Sequence, residues 1–96
     1  MNSKNKINEL RNKIDEYDDK ILTLVTKRLE ISDKIGSIKK KSNLEILDKN
    51  RENEIISRLA KKFKMLKKEH IRSIFNQIFN VSRLIQKEKN NVGIND

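Results

Sequence analysis

The sequence contains no cysteine, proline or tryptophan, and only two of its 96 residues are glycine. Without cysteine the chain can form neither a disulfide bond nor a thiolate metal site. Without proline, and with so little glycine, it lacks the turn signals of a β-hairpin protein. Alternation of apolar and polar residues with a period of two is also weak, so the sequence predicts an all-α fold.

Long apolar runs are missing as well. No stretch approaches the roughly 18 apolar residues of a membrane-spanning helix, and the first ten residues, MNSKNKINEL, lack the apolar core of a signal peptide. We therefore expect a cytoplasmic protein with no membrane partner. Because only 34% of the residues are hydrophobic, a single chain would bury a thin core, and self-association is the expected remedy.

Lysine and arginine outnumber the acidic residues, which gives a formal net charge of +9. Such a charge attracts nucleic acids as well as small anions. Lysines are spread over almost every segment, however, and aromatic residues make up only 4% of the chain, which leaves few platforms on which bases could stack. We therefore expect a small anionic substrate and no nucleic-acid partner.

Three helices are predicted within one domain that covers residues 1–96, with an ordered core at 5–89. The first helix runs over residues 5–41 and would be about 50 Å long, a length typical of coiled-coil-like dimers. Asp48 is the expected N-cap of the second helix. The third helix runs over residues 69–89.

The second and third helices both have apolar residues at helical spacing. On the second helix the expected buried face consists of Ile55, Ile56, Leu59 and Phe63. On the third helix the apolar positions are Ile71, Ile74, Phe75, Ile78, Val81 and Ile85. The spacing predicts an amphipathic helix in each case.

The first helix has an apolar stripe at heptad spacing, interrupted by one cation. The stripe consists of Ile7, Leu10, Ile14, Tyr17, Ile21, Leu24, Ile31, Ile35 and Ile38. Arg28 occupies the position between Leu24 and Ile31, and a guanidinium among apolar side chains is costly unless an anion meets it. That anion is either the carboxylate of a salt-bridge partner or a bound ligand.

Two other cations of the first helix, Lys39 and Arg11, could share a ligand with Arg28. Lys39 follows by 11 residues, so it lies on nearly the same face, about 16 Å away along the axis. The two could hold one small anion, or each could have a salt-bridge partner. Arg11 lies about 25 Å from Arg28, too far to share that anion unless a second copy of the helix runs antiparallel alongside. The alternative for Arg11 is a surface ion pair with Asp15.

Two pairs of polar residues have i, i+4 spacing. Ser82 and Gln86 lie among apolar residues of the third helix, where they could satisfy backbone groups or each other, or line a polar pocket. Asp48 and Glu52 could simply complement the positive N-terminus of the second helix. His70 is the only histidine, and no cysteine accompanies it, so we expect no metal site.

The ordered set of these residues resembles the all-helical chorismate mutase family over residues 7–86. The matching segments are Leu10-Arg11-Asn12-Lys13-Ile14-Asp15, Asp18 to Leu24, Lys27-Arg28, Ile35-Gly36-Ser37-Ile38-Lys39, Asp48-Lys49-Asn50-Arg51-Glu52 and Ser82-Arg83-Leu84-Ile85-Gln86. Glu45 departs from the family, where proline is common. The resemblance implies a three-helix chain in an intertwined homodimer with antiparallel first helices. It also implies conversion of chorismate to prephenate, a Claisen rearrangement in phenylalanine and tyrosine biosynthesis, without a cofactor.

Roles for the site residues follow from this resemblance. Arg28, with Arg11 from the partner chain, would bind the two carboxylates of chorismate, and Ser82 would add a hydrogen bond to a carboxylate. Lys39 and Gln86 would donate to the ether oxygen, where negative charge grows as the C–O bond breaks.

The remaining predicted contacts involve the second helix. Glu52, with Asp48 nearby, would accept the hydrogen bond of the ring hydroxyl, and Arg51 would support the bound anion from further away. The residues with the most direct catalytic roles would be Lys39, Gln86, Arg28 and Glu52. Because Gln86 does not titrate, the resemblance implies activity that persists near neutral pH.

Two other functions remain compatible with the sequence. An isochorismate pyruvate-lyase shares the fold and the site lined by arginine and lysine, although Asp48 and Glu52 beside the pocket favour the mutase. A non-enzymatic basic helical module would bind a partner helix or nucleic acid. In such a module Arg28 and Lys39 would matter no more than other surface cations.

Overall fold

The structure, a computed structural model, describes residues 2–95, and for residues 90–95 it describes the backbone alone. It contains three helices, α1 (Ser3–Lys41), α2 (Lys49–Lys62) and α3 (Lys68–Asn95). Residues 2–95 include no strand, which confirms the all-α prediction. α1 begins two residues earlier than expected, and α3 continues six residues beyond the expected end. None of the described helices is long and apolar enough to cross a membrane.

The connector between α1 and α2 is defined by two local structures. Asn43 has a φ of 58°, a left-handed conformation that asparagine tolerates better than most residues, and the Leu44 amide donates to the Lys39 carbonyl at 2.7 Å. At the other end, Asp48 is extended and its Oδ1 accepts from the Arg51 amide at 3.0 Å. The predicted N-cap is therefore confirmed.

The chain folds as two compact units, residues 1–31 and residues 32–96, with the boundary inside α1. The first unit contains a single helical segment. The second unit contains the last ten residues of α1 together with α2 and α3.

The core of the second unit lies between α2 and α3. It consists of Ile55, Ile56, Leu59, Ile71 and Phe79, with Ala60 and Phe75 packed against it. The prediction for Phe63 was wrong, because this residue lies just beyond the end of α2 and is 49% exposed. Phe79 is the aromatic residue that α3 buries, and it contacts Phe75 with ring centroids 6.0 Å apart.

The apolar stripe of α1 is much more exposed than the core between α2 and α3. Its nine side chains are between 46% and 64% exposed in the single chain. Arg28 within the stripe is half-buried. Each stripe residue thus keeps about half of its surface accessible, which is unusual for nine large apolar residues aligned along one helix.

Candidate active site

The predicted site residues fall in both units. The first unit contains Arg11, which is exposed, and Arg28, which is half-buried. The second unit contains the other six, which are Lys39, Asp48, Arg51, Glu52, Ser82 and Gln86. Within the second unit, side chains that are far apart in the sequence form two hydrogen-bonded groups.

The first group joins α3 to the last part of α1. Ser82 and Gln86 are each 7% exposed. The two hydroxyls of Ser82 and Ser32 lie 2.7 Å apart, and Gln86 Nε2 donates to the Ser32 carbonyl at 3.0 Å and to Ser82 Oγ at 3.5 Å. Among the described residues no partner hydrogen-bonds Gln86 Oε1, although this atom is buried. The i, i+4 pair therefore contacts a backbone carbonyl and also leaves polar capacity unused.

The Gln86 side chain packs against Gly36, where there is no room for a Cβ atom. A Cβ atom at Gly36 would lie 2.8 Å from Gln86 Cδ and 3.0 Å from both Nε2 and Oε1. Such distances are shorter than van der Waals contact, so any larger residue would displace the amide. The cost of a glycine within a helix, about 1 kcal/mol relative to alanine, is therefore offset by a close approach between α1 and α3.

A narrow cleft of about 50 Å³ opens beside this amide. Its lining comes from α1, α3 and the connector between α1 and α2, namely Asp33, Gly36, Ser37, Ile46, Gln86 and Lys89. Lys89 Nζ and Asp33 Oδ2 form an ion pair at 2.6 Å on its border. Lys39 is linked to the same lining, because its Nζ donates to the Ile46 carbonyl at 3.3 Å.

The second group joins α2 to α3. Arg83 Nη1 lies 2.5 Å from Glu52 Oε2, and Lys49 Nζ lies 3.6 Å from Glu52 Oε1. Arg83 also donates through Nη2 to Asn80 Oδ1. The Glu52 side chain is only 16% exposed, so its negative charge is held in a half-buried position by cations on both of its oxygens.

Asp48 and Arg51 are more exposed than Glu52. Asp48 uses one carboxylate oxygen to cap α2, which is the local electrostatic role that its position in the sequence allowed. The Arg51 side chain is 62% exposed and pairs with Glu54 at 3.6 Å. Exposed ion pairs of this kind contribute about 0–1 kcal/mol, so the Arg51 side chain is only weakly held.

Several residues of these groups were not assigned a role from the sequence, among them Ser32 and Arg83. Ser32 contributes a hydroxyl and a carbonyl to the first group, and Arg83 binds Glu52 in the second. A signal for Ser32 was present, because Ser32 and Gly36 are small residues at i, i+4 on one face of α1, a pattern that permits close helix approach. No sequence pattern distinguishes Arg83 from the chain's other arginines.

The donors of these groups are nitrogen and oxygen atoms suited to binding an organic anion. Within residues 2–95, no cluster of three or more histidine, cysteine, aspartate or glutamate side chains could hold a metal ion. What the second unit offers is an ammonium, a primary amide and a hydroxyl near one cleft, with a carboxylate on the adjacent helix.

Comparisons with known proteins agree on one family. The profile of chorismate mutase type II matches residues 10–87. The chain is 38% identical over 71 residues to a bifunctional chorismate mutase/prephenate dehydratase of Aquifex aeolicus, which covers 74% of this chain and 18% of that protein. It is 40% identical over 65 residues to a chorismate mutase of Methanocaldococcus jannaschii, which covers 68% of this chain and 62% of that protein.

A solved structure is similar as well. A conserved hypothetical protein from Pyrococcus furiosus superimposes with a TM-score of 0.68 at 42% identity, over 84% of this chain and 95% of that one. The chain spans less than two thirds of the length of both curated relatives. The family profile, by contrast, extends over most of this chain and includes every predicted site residue from Arg11 to Gln86. With the helical order, the paired polar groups and this match together, the chain belongs to the chorismate mutase type II family.

Proposed function

We propose that this protein is an enzyme that converts chorismate to prephenate by conformer positioning and by electrostatic stabilisation of the ether oxygen. The observation that supports the proposal most directly is the position of Gln86, which is buried against Gly36 beside a cleft linked to Lys39. Membership of the family and the names of the two curated relatives support the same reaction.

Gln86 has donor capacity for the ether oxygen. A primary amide has two N–H donors, and Nε2 uses one at the Ser32 carbonyl at 3.0 Å. The contact of Nε2 with Ser82 Oγ, at 3.5 Å, is at the limit of hydrogen bonding. Donation to an ether oxygen would therefore replace only the long contact with Ser82. The hydrogen bond to the Ser32 carbonyl would keep the amide oriented.

Lys39 is proposed as the charged donor to the same atom. An ammonium has three donors, and the contact with the Ile46 carbonyl at 3.3 Å is a long one. As the C–O bond of chorismate breaks, negative charge develops on the ether oxygen, and a preorganised cation stabilises it more than it stabilises the substrate. No proton transfer or covalent intermediate is required.

Glu52 and Ser82 are proposed to fix the substrate's orientation. A carboxylate has about four acceptor positions, so Glu52 can bind Arg83 and Lys49 and still accept the ring hydroxyl. Asp48 lies one helical turn before it, and Arg51 adds positive charge from an exposed position. Ser82 would donate to a substrate carboxylate.

We further propose that the active protein is a homodimer in which each site combines Arg28 with Arg11 of the other copy. The exposed apolar stripe supports this arrangement, because a second copy running antiparallel would cover it. The cleft beside Gln86 supports it too. Its volume of about 50 Å³ is below the roughly 300–1,000 Å³ of most small-molecule pockets, so residues of a second copy would be needed to complete the site. A cytoplasmic location is part of the same proposal and is consistent with the absence of cysteine.

Product analysis tests the reaction. The purified chain is incubated separately with chorismate and with isochorismate, and prephenate and pyruvate are measured. We expect prephenate from chorismate. Pyruvate from isochorismate without any prephenate would instead identify a pyruvate-lyase, and a salt-sensitive complex with DNA and no turnover would identify a basic binding module.

Subunit complementation tests the shared site. Inactive Arg11→Ala and inactive Lys39→Ala proteins are mixed under conditions that allow exchange of subunits. A heterodimer would contain one intact site and one site with both changes, so we expect part of the activity to return. Absence of recovery after demonstrated exchange would place Arg11 outside the shared site.

A further inference from the structure

Arg83 ties the Glu52 carboxylate of α2 to α3. The contact between Nη1 and Oε2 measures 2.5 Å and joins residues 31 positions apart. Lys49 reaches the other oxygen from the same helix as Glu52, at 3.6 Å. The Arg83 contact is therefore the shorter of the two and the only one of this pair that fixes Glu52 relative to α3.

The guanidinium is itself held in place. Arg83 donates from Nη2 to Asn80 Oδ1, one turn earlier on α3, while Nη1 faces Glu52. A planar guanidinium bound at two nitrogens has little freedom to rotate. The Arg83 side chain is also 33% exposed, twice the fraction of Glu52, so it lies on the solvent side of the pair and leaves the more buried side of Glu52 for other contacts.

We infer that Arg83 is a positioning residue that holds the Glu52 carboxylate in the orientation that accepts the substrate's ring hydroxyl. This inference rests on the proposed function. Arg83 acts through Glu52 and touches neither the ether oxygen nor the substrate carboxylates. Because Arg83 precedes Gln86 by three residues on α3, the pair also sets the position of Glu52 relative to the helix that contains Ser82 and Gln86.

The chain offers a matched control for this contact. Arg72, also on α3, donates from Nη1 to Asn53 Oδ1 on α2 at 3.2 Å. It is exposed and links the same two helices. Arg72→Met therefore removes an arginine hydrogen bond between the same two helices without removing a contact of Glu52.

The test measures kcat and KM with chorismate and with an analogue of chorismate that lacks the ring hydroxyl. Arg83→Met should lower kcat/KM for chorismate about 10- to 100-fold, since small errors in the placement of a binding group have effects of this size. With the analogue it should remain within about threefold of the unmodified protein, because the contact that Arg83 organises is missing from that reaction. Arg72→Met should leave both values within about twofold, as expected for an exposed contact.

Two further variants protect the test from a folding artefact. Arg83→Lys keeps the charge but not the planar fork, and it should restore part of the loss with chorismate. In Glu52→Gln, adding Arg83→Met should cause little further loss, because residues that act through one another are not additive.

Each outcome has a separate meaning. Equal losses with chorismate and with the analogue would overturn the inference in favour of a general structural role, and so would full activity of Arg83→Met. In both cases the proposed reaction would stand. An unmodified protein that forms no prephenate would overturn the proposed function, and the inference with it.

Discussion

Residues 1–31 and residues 32–96 follow the same helical periodicity but bury their apolar side chains to very different extents. In the second unit Ile56 is fully buried, and Ile55, Leu59, Ile71 and Phe79 are at most 9% exposed. In the first unit the stripe residues remain about half exposed. The difference shows that an amphipathic pattern specifies a face for burial without specifying whether the partner belongs to the same chain.

The polar groups of the second unit, like its core, make their contacts within the chain. Ser32, Ser82 and Gln86 of the second unit bind one another, and Glu52 binds Arg83. The core and the polar groups of the second unit are therefore organised by contacts within one chain. The stripe, which begins in the first unit and ends at Ile35 and Ile38 of the second, has the composition of an interface. Full burial of a large apolar side chain contributes about 1.5–3 kcal/mol, so covering the stripe would stabilise the protein substantially.

The largest expected effect comes from placing a charge in the stripe. Ile21→Glu would bury an unpaired carboxylate in each copy of a symmetric dimer, and an uncompensated buried charge costs about 3–5 kcal/mol. We expect dimer dissociation to become at least about 100-fold more favourable, measured by analytical ultracentrifugation. Thr23→Glu, which introduces the same charge outside the stripe, is the control. Equal effects of the two substitutions would contradict an interface at the stripe.

Truncation of an isoleucine distinguishes the two units by concentration dependence. Ile56→Ala should lower the free energy of unfolding by about 2–5 kcal/mol, since it leaves a cavity in a fully buried position. Ile14→Ala should destabilise the protein only where chains associate, so its effect should decrease on dilution. Urea denaturation at several protein concentrations measures both. A concentration-independent loss for Ile14→Ala would show that the stripe packs within one chain.

Removal of Lys39 tests the chemistry assigned to the second unit. Lys39→Ala should lower kcat by about 10²–10³, the usual effect of losing one donor to a developing negative charge. Lys41→Ala, an exposed lysine at the end of α1, should change kcat less than about twofold, as expected for a surface substitution. Steady-state kinetics with chorismate gives both values, and equal losses would remove Lys39 from the proposed site.

The smallest predicted effect is at Gly36. Gly36→Ala places a methyl group 2.8 Å from Gln86 Cδ, so the amide must shift, and we expect kcat to fall about tenfold through misplacement of a donor. Stability should change little, because alanine favours the helix by about 1 kcal/mol and so offsets part of the strain. A comparison of kcat with the urea midpoint checks this. Loss of stability without loss of kcat would show that Gly36 serves packing alone.

Much of the fold was predictable because it depends on local interactions. Helix formation follows from the missing turn residues and from apolar spacing, and the Asp48 cap involves a residue only three positions away. Phe63 shows the limit of that reasoning. Its spacing matches the buried face of α2, but the helix ends at Lys62, and the position of Phe63 then depends on the connector.

The candidate site was predictable only as a set of residue types in order. That order was sufficient to show the resemblance to the chorismate mutase family. The resemblance in turn predicted roles for Lys39, Glu52, Ser82 and Gln86. Their contacts were not predictable, because Ser32 is 50 residues from Ser82 and Arg83 is 31 residues from Glu52. Helical periodicity identifies the helix face on which a side chain lies, but it does not identify the atom of another helix that this side chain contacts.

The sequence by itself determined three helices, the N-cap of α2 and membership of the chorismate mutase type II family, because each depends on residue order and short-range spacing. Only the tertiary structure decided that Gly36 receives Gln86, that Ser32 completes the hydrogen bonds of Ser82 and that Arg83 holds Glu52. Those contacts result from how α1, α2 and α3 pack within the second unit, where sub-ångström differences in helix approach decide which polar atoms meet.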